Sequence, residues 1–259
     1  MSLQYTNREL QIIMLARQIK NGQAVIVGTG LPLVGAALAK NTYAPDCHLI
    51  VETGIIDGNP NEVPTSVGDI RFMSGASVLW EQFRYFGFQS NSLKYNTIDL
   101  GFLGGAQIDP YGNINSTVIG DYYNPKTRFT GSGGANGIAS FVSTLIIMQH
   151  EKKRFVEKLD YLTSPGWIDG PEGRARMGLP PDKGPLAVVT ELGLMRFDDK
   201  TKRMYLAECY PGVDSDEIRM RTGFDLDMSR AVQAKEPEAS VLKILRERVD
   251  PTGVFIGKK

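Results

Sequence analysis

The chain has 259 residues, 42% hydrophobic and 22% charged, with 29 basic residues balanced by 29 acidic ones. That size allows a substantial buried core, and the charge balance supplies no basic face for nucleic acid or an anionic membrane. Two cysteines, Cys47 and Cys209, are too few for a disulfide-built secreted domain, and two histidines without a C-x-x-C or H-E-x-x-H pattern argue against a zinc or haem centre.

Taken in chain order, Thr6 to Lys20 is predicted as an amphipathic helix. Thr6 stands three residues before Glu9 in capping-box spacing, Ile12, Leu15, Ala16 and Ile19 share a face, and Gly22 stops it. Ala24 to Val27 is a short buried strand, followed by the turn Gly28-Thr29-Gly30 and a helix from Leu33 to Lys40. His48 to Val51 is a second strand ending at Glu52-Thr53-Gly54. Ile98 to Leu103 is a third, running into Gly104-Gly105-Ala106-Gln107, and Phe141 to Met148 is a fourth, preceded by the glycine cluster Gly131 to Gly137. Leu186 to Thr190 is a fifth. Gly193 to Phe197 and Arg203 to Tyr210 are expected to pair through the polar turn Asp198-Asp199-Lys200. Glu238 to Val249 is a late helix ended by Asp250-Pro251.

Strands alternating with helices predict an α/β fold: an open, mostly parallel sheet flanked by helices, with an irregular C-terminal extension. Residues 1–259 are expected as one domain, of which 161–259 is partly peripheral; Tyr161 to Pro185, rich in Gly and Pro, is expected to be irregular. The start MSLQYTNREL lacks the apolar run of a signal peptide, and Phe141 to Met148 is too short to cross a bilayer. A cytoplasmic protein is expected.

Glycine-rich turns at strand ends fall along the sheet edge where open α/β sheets bind ligands. The turn Gly28 to Leu33 fails as a dinucleotide fingerprint, because Leu33 replaces the third glycine and Pro32 occupies the turn, although Glu52 lies near the spacing of a ribose-binding acid. Glu52 follows four apolar-strand residues, where a carboxylate is costly unless paired or functional. Two readings stay open for it: a strand-end carboxylate held by a loop amide or an arginine, and a reactive group. Gly104-Gly105 and Gly131 to Gly134 are either tight turns or sources of free N–H groups, and Gln107 could add a side-chain donor. A carboxylate beside exposed donors is what acyl transfer through a tetrahedral oxyanion requires.

Longer segments carry a resemblance. Leu103 to Asn115 (LGGAQIDPYGNIN) and Phe129 to Gly137 (FTGSGGANG) resemble segments of the β-type halves of class I coenzyme A transferases, and they follow the glutamate loop in the same order. Val27 to Leu33, Tyr43 to His48, Ser66 to Phe72 and Ser164 to Pro171 are similar to the glutaconate-type branch of that family, with similarity from about Tyr5 to Phe255. Val51-Glu-Thr-Gly54 stands where many members read S-E-N-G, and Gly137 stands where the ketoacid-type enzymes carry Asp.

The resemblance implies that Glu52 is the catalytic nucleophile, passing through a mixed anhydride to a glutamyl-CoA thioester. It implies oxyanion or substrate donors at Gln107, Gly133 and Gly134, and loops around the CoA ester and substrate at Gly28, Thr29, Gly30, Gly54, Gly104, Gly105 and Asn136. Ser66 is a further pocket candidate, and Arg71, Lys126 and Arg128 are candidates for phosphate contacts, with turn bonding and surface solvation as the alternatives. Coenzyme A is then a substrate, and no permanently bound cofactor or metal is expected. A separately encoded α subunit, in an α2β2 or larger assembly, is expected to complete the site and to supply much of the choice of dicarboxylate. Same-fold CoA-ester decarboxylases and hydrolases are the alternative; retention of Glu52 argues against them.

Overall fold

Short β-branched runs that alternate with glycine turns become β-strands in the computed structural model, which describes residues 4–58, 60, 62–81 and 97–257. The chain forms two compact units, the first drawn from Met1–Asn91, Tyr95–Phe102 and Lys235–Lys259 and the second from Leu103–Ala234.

In the first unit, α1 (Asn7–Ala16) begins at the predicted cap: Thr6 Oγ1 accepts from Glu9 N at 3.1 Å and Glu9 Oε2 accepts from Thr6 N at 2.8 Å. It ends four residues before the expected Lys20, because Gln18 and Ile19 bond three residues back and tighten the last turn. Leu10, Ile12, Ile13 and Leu15 are fully buried, so packing rather than propensity holds this ten-residue helix, at about 1.5–3 kcal/mol per side chain. Strand β1 (Ala24–Val27) pairs in parallel with β2 (His48–Val51), Val27 opposite Val51. Beyond β2 come β3 (Ile55–Ile56) and β4 (Val78–Leu79), both antiparallel. On the other side of β1, β5 (Leu100–Leu103) pairs in parallel, giving the order β5-β1-β2-β3-β4.

Helix α2 (Leu31–Lys40) starts two residues earlier than expected. Pro32 sits inside its first turn, where a missing N–H costs nothing, rather than in the turn before it. The small residues of LPLVGAALAK let α2 lie close to α1: a Cβ at Gly35 would stand 2.9 Å from the Leu15 Cβ. The predicted late helix is present as Ala239–Ile244, continuing in wider π-helical turns to Val249 before Asp250.

The second unit holds two small antiparallel pairs, β6 (Gln107–Ile108) with β7 (Ile114–Asn115) and β8 (Val118–Gly120) with β9 (Pro125–Arg128). Helix α3 (Ala135–Phe141) follows the glycine cluster. Strand β10 (Ser143–Ile147) pairs in parallel with β11 (Pro185–Val189). The expected hairpin is β12 (Gly193–Phe197) with β13 (Met204–Cys209), and β14 (Val232–Gln233) adds a parallel edge, giving β14-β13-β12-β11-β10. The fold is thus of the expected α/β class, with β1, β2, β5, β10 and β11 all in parallel pairings. Residues 161–184 are irregular apart from one turn of helix at Gly173–Arg176, and Pro185 opens β11.

Candidate active site

Glu52 is the residue immediately after β2, in a turn closed by the Gly54 N–H on the Val51 carbonyl at 2.9 Å. The turn requires glycine at position 54 twice over. Its φ is +88°, and a Cβ there would stand 2.1 Å from the Trp80 carbonyl oxygen, whose own N–H donates to the Gly54 carbonyl at 2.8 Å. Because Val27 lies opposite Val51, the turn Gly28-Thr29-Gly30 leaves β1 alongside Glu52, and α2 begins directly after Gly30.

The Glu52 side chain departs from expectation in its surroundings. Val51 is buried but Glu52 is exposed, so the cost of burying a carboxylate does not arise in this chain. Among the described residues no ion pair or hydrogen bond engages its carboxylate, so neither the arginine nor the loop amide of the structural alternative is present. Beside it, Thr53 Oγ1 is buried with no hydrogen-bond partner among the described residues.

In the second unit Gly104 is exposed, while a Cβ on Gly105 would stand 2.3 Å from Ile114 Cγ2 and 3.0 Å from the Asn115 carbonyl. Gly105 is therefore needed for close packing against β7. Gln107 is 5% exposed and more constrained than a free donor: its Oε1 accepts from Asn115 Nδ2 at 2.7 Å and Asp160 N at 3.1 Å, and its Nε2 donates to Asp160 Oδ2 at 3.1 Å. Asp160 also accepts from Gly120 N at 3.0 Å. Among the described residues, one of the two Gln107 amide hydrogens has no partner. Asn115 and Asp160, which fix this carboxamide, carried no signal in the sequence beyond lying in or near a resembling segment.

Gly133 is exposed, and neither its N–H nor that of Gly134 has a partner among the described residues. Gly134 is the residue before α3, so its amide points out of the helix start without a side-chain cap. Asn136 does not hang free: its Nδ2 donates to the Thr163 carbonyl at 2.8 Å. The phosphate candidates are largely engaged. Arg71 pairs with Asp69 and Glu62, which holds the Asp69 carboxyl well below the usual range, at about 2, through hydrogen bonds from Arg71. Arg128 donates to the Tyr122 carbonyl and lies 4.6 Å over the Tyr122 ring. Lys126 is exposed, and Ser66 accepts the Asp69 N–H in a turn. Among the described residues no cluster of metal-ligating side chains occurs, and no helix is long and apolar enough to cross a membrane.

The family model described as Coenzyme A transferase matches residues 8–220. Over 253 residues, 97% of this chain and 95% of the relative, the sequence is 59% identical to a subunit of the glutaconate CoA-transferase of Acidaminococcus fermentans. It is 38% identical to a subunit of the 3-oxoadipate CoA-transferase of Pseudomonas knackmussii, over 94% of each chain. The crystal structure of glutaconate coenzyme A-transferase from A. fermentans superimposes with a TM-score of 0.94 at 58% identity, over 98% of both chains.

Proposed function

We propose, from the premise that this chain belongs to the coenzyme A transferase family, that Glu52 is the nucleophile of a transferase moving CoA from an acyl-CoA to a dicarboxylate of the glutaconate type. The observation that carries the assignment is the placement of Glu52: an exposed carboxylate on a rigid turn at the carboxyl end of a parallel strand, unpaired among the described residues.

The chemistry follows from that carboxylate. A Glu52 oxygen attacks the thioester carbonyl carbon; the CoA thiolate leaves, forming a mixed anhydride between the acyl group and Glu52. The thiolate then attacks the Glu52 carbonyl carbon, releasing the acid and forming a glutamyl-CoA thioester. The acceptor carboxylate attacks that thioester, the thiolate leaves again, and its attack on the acceptor carbonyl yields the new acyl-CoA and restores Glu52. Each step passes through a tetrahedral oxyanion, for which the unpaired N–H groups of Gly133 and Gly134 and the remaining Gln107 amide hydrogen are the proposed donors. Donors of this kind are worth roughly 10²–10³ in rate each. The turn Gly28-Thr29-Gly30, Gly54, Gly104-Gly105 and Asn136 form the proposed loops around the ester and the acid. Coenzyme A is a substrate, and the carboxylate itself supplies the covalent chemistry.

The similar transferase chains are each named as one subunit of an enzyme, so this chain is proposed to act with a separately encoded partner that completes the pocket and selects the acid. Free thiols at Cys47 and Cys209 suit the reducing cytoplasm in which we place it. The test is to co-produce the chain with the product of its neighbouring gene, add acyl-CoA, and treat with borohydride. The expected result is covalent modification at Glu52 and ping-pong exchange, with Glu52→Gln losing on the order of 10³-fold or more in rate. Full exchange by Glu52→Gln would refute the assignment, and carbon dioxide release without an acceptor acid would favour a decarboxylase.

A further inference from the structure

Arg174 is 1% exposed, and among the described residues no carboxylate bonds to it. Its guanidinium instead donates to four backbone carbonyls: Nη1 to Ala139 at 3.1 Å and Gly166 at 2.9 Å, Nη2 to Ser140 at 2.8 Å, and Nε to Pro180 at 2.9 Å. Burial lowers the Arg174 pKa to about 10, outweighing the attraction of Asp182, which acts on it only through space; a buried cation with no carboxylate bonded to it is expensive to keep. Methionine or leucine would fill the same volume without that cost. The charge is therefore best explained by what it holds.

Two of the four carbonyls, those of Ala139 and Ser140, belong to the last turn of α3, where helix carbonyls lack intrahelical partners and a cation is favoured. The other end of α3 begins at Gly134. Seven residues are too few for a helix to be stable by propensity, so its position is set by what grips it. The grip comes from one stretch of irregular chain at both ends: Asn136 in the first turn donates to the Thr163 carbonyl at 2.8 Å, and Arg174 holds the last turn while tying it to Gly166 and Pro180.

We infer that Arg174 is a positioning residue: it clamps α3 onto the 163–180 segment and so fixes where the Gly133 and Gly134 amides point. Its effect on the reaction rests on the proposed role of those amides as oxyanion donors. Lysine preserves the charge but not the fork, and a single ammonium cannot reach four carbonyls spread around a planar group.

The test compares Arg174→Lys with Val188→Ala, a core cavity in β11 whose residue takes no part in the clamp's hydrogen bonds, both in the assembled enzyme with its partner subunit. Val188 is fully buried, so its truncation destabilises the fold in general. At a temperature where both variants are fully folded, Arg174→Lys is expected to speed amide hydrogen exchange over residues 131–138 by at least about tenfold. It should also lower kcat by about 10- to 100-fold with KM for the acyl-CoA within about twofold, since a small misplacement of donors costs that much. Val188→Ala should change neither. Unchanged exchange over 131–138 in Arg174→Lys would overturn the clamp, whatever the rate does. Faster exchange with an unchanged kcat would uphold the clamp and overturn the donor role of Gly133 and Gly134 instead, so the two ideas fail separately.

Discussion

At the scale of single residues, the Glu52 turn depends on an atom that is absent. Gly54 combines a φ of +88° with a space already filled by the Trp80 carbonyl, so Gly54→Ala adds left-handed strain of about 1–2 kcal/mol to overpacking of about 1–3 kcal/mol. A loss of roughly 2–5 kcal/mol in urea unfolding is expected, together with a fall in exchange rate that exceeds any change in folded fraction. A stability near wild type would show that the turn relaxes freely, and that Glu52 is not held by it. Two titratable groups outside the proposed chemistry, His150 buried and Asp109 half-buried, make a second prediction. His150 is fully buried between Thr190 and Thr222, with Nδ1 3.2 Å from Thr190 Oγ1 and Nε2 3.0 Å from Thr222 Oγ1. Burial, aided by Arg221, lowers its pKa to about 4, so its contribution is present above the unfolded value of 6.5 and is lost as pH falls towards 4. Asp109 is opposite in sign. Burial pushes its carboxyl up to about 6 despite hydrogen bonds from Asn113 and Tyr111, so its contribution is full below 3.8 and is lost as pH rises through 6. Between pH 4 and 6 the two slopes offset. His150→Gln removes one of them, and its urea midpoint relative to wild type should rise steadily as pH drops from 6 to 4; parallel profiles would contradict this.

Among elements, α1 shows what the sequence carried and what it could not. The capping box at Thr6 and Glu9 was legible from spacing alone, because it is a local pattern with a local cause. That Glu9 also accepts from Arg246, at 2.6 Å to Nε and 3.0 Å to Nη2, was not, since the partner is 237 residues away. The Glu9 side chain is 2% exposed and that of Arg246 27%, so Glu9→Gln should cost about 2–4 kcal/mol, somewhat under a fully buried pair. Arg246→Met, which removes the charge and keeps the stem, should cost less than Arg246→Ala; equal losses would mean that the stem's packing contributes nothing. The same divide runs through the rest of the chain. The strands β1, β2, β10 and β11 could be read because buried parallel strands are continuous apolar runs. The two-residue strands β3, β6 and β7 carry no period at all, and α2 began early because proline is as welcome in a first helical turn as in a loop. At the candidate site, Glu52 and the glycine clusters were visible as punctuation at strand ends. Asp160 and Arg174 were not, because what matters about them is which distant carbonyls and amides they meet.

For the whole molecule, the exposure of Glu52 has a consequence for what the chain can do alone. A carboxylate in water is well solvated and a poor nucleophile toward a thioester; enzymes make such groups react by replacing water with fixed dipoles in a closed site. Within this chain Glu52 is exposed and unpaired among the described residues. On the proposed role of Glu52, closure would be the task of a partner; the similar transferase chains are named as single subunits. The chain purified by itself should fold, giving a cooperative urea transition, yet exchange CoA at less than about 1% of the rate of the complex, the loss expected when one set of donors at about 10²-fold is absent. Borohydride should fail to mark Glu52 until the partner is added, and titrating the partner should restore labelling and exchange together, saturating at one partner per chain. Exchange at the full rate by the isolated chain would show that the site is complete without a second subunit. Restored exchange with no label at Glu52 would show that the partner brings a nucleophile of its own.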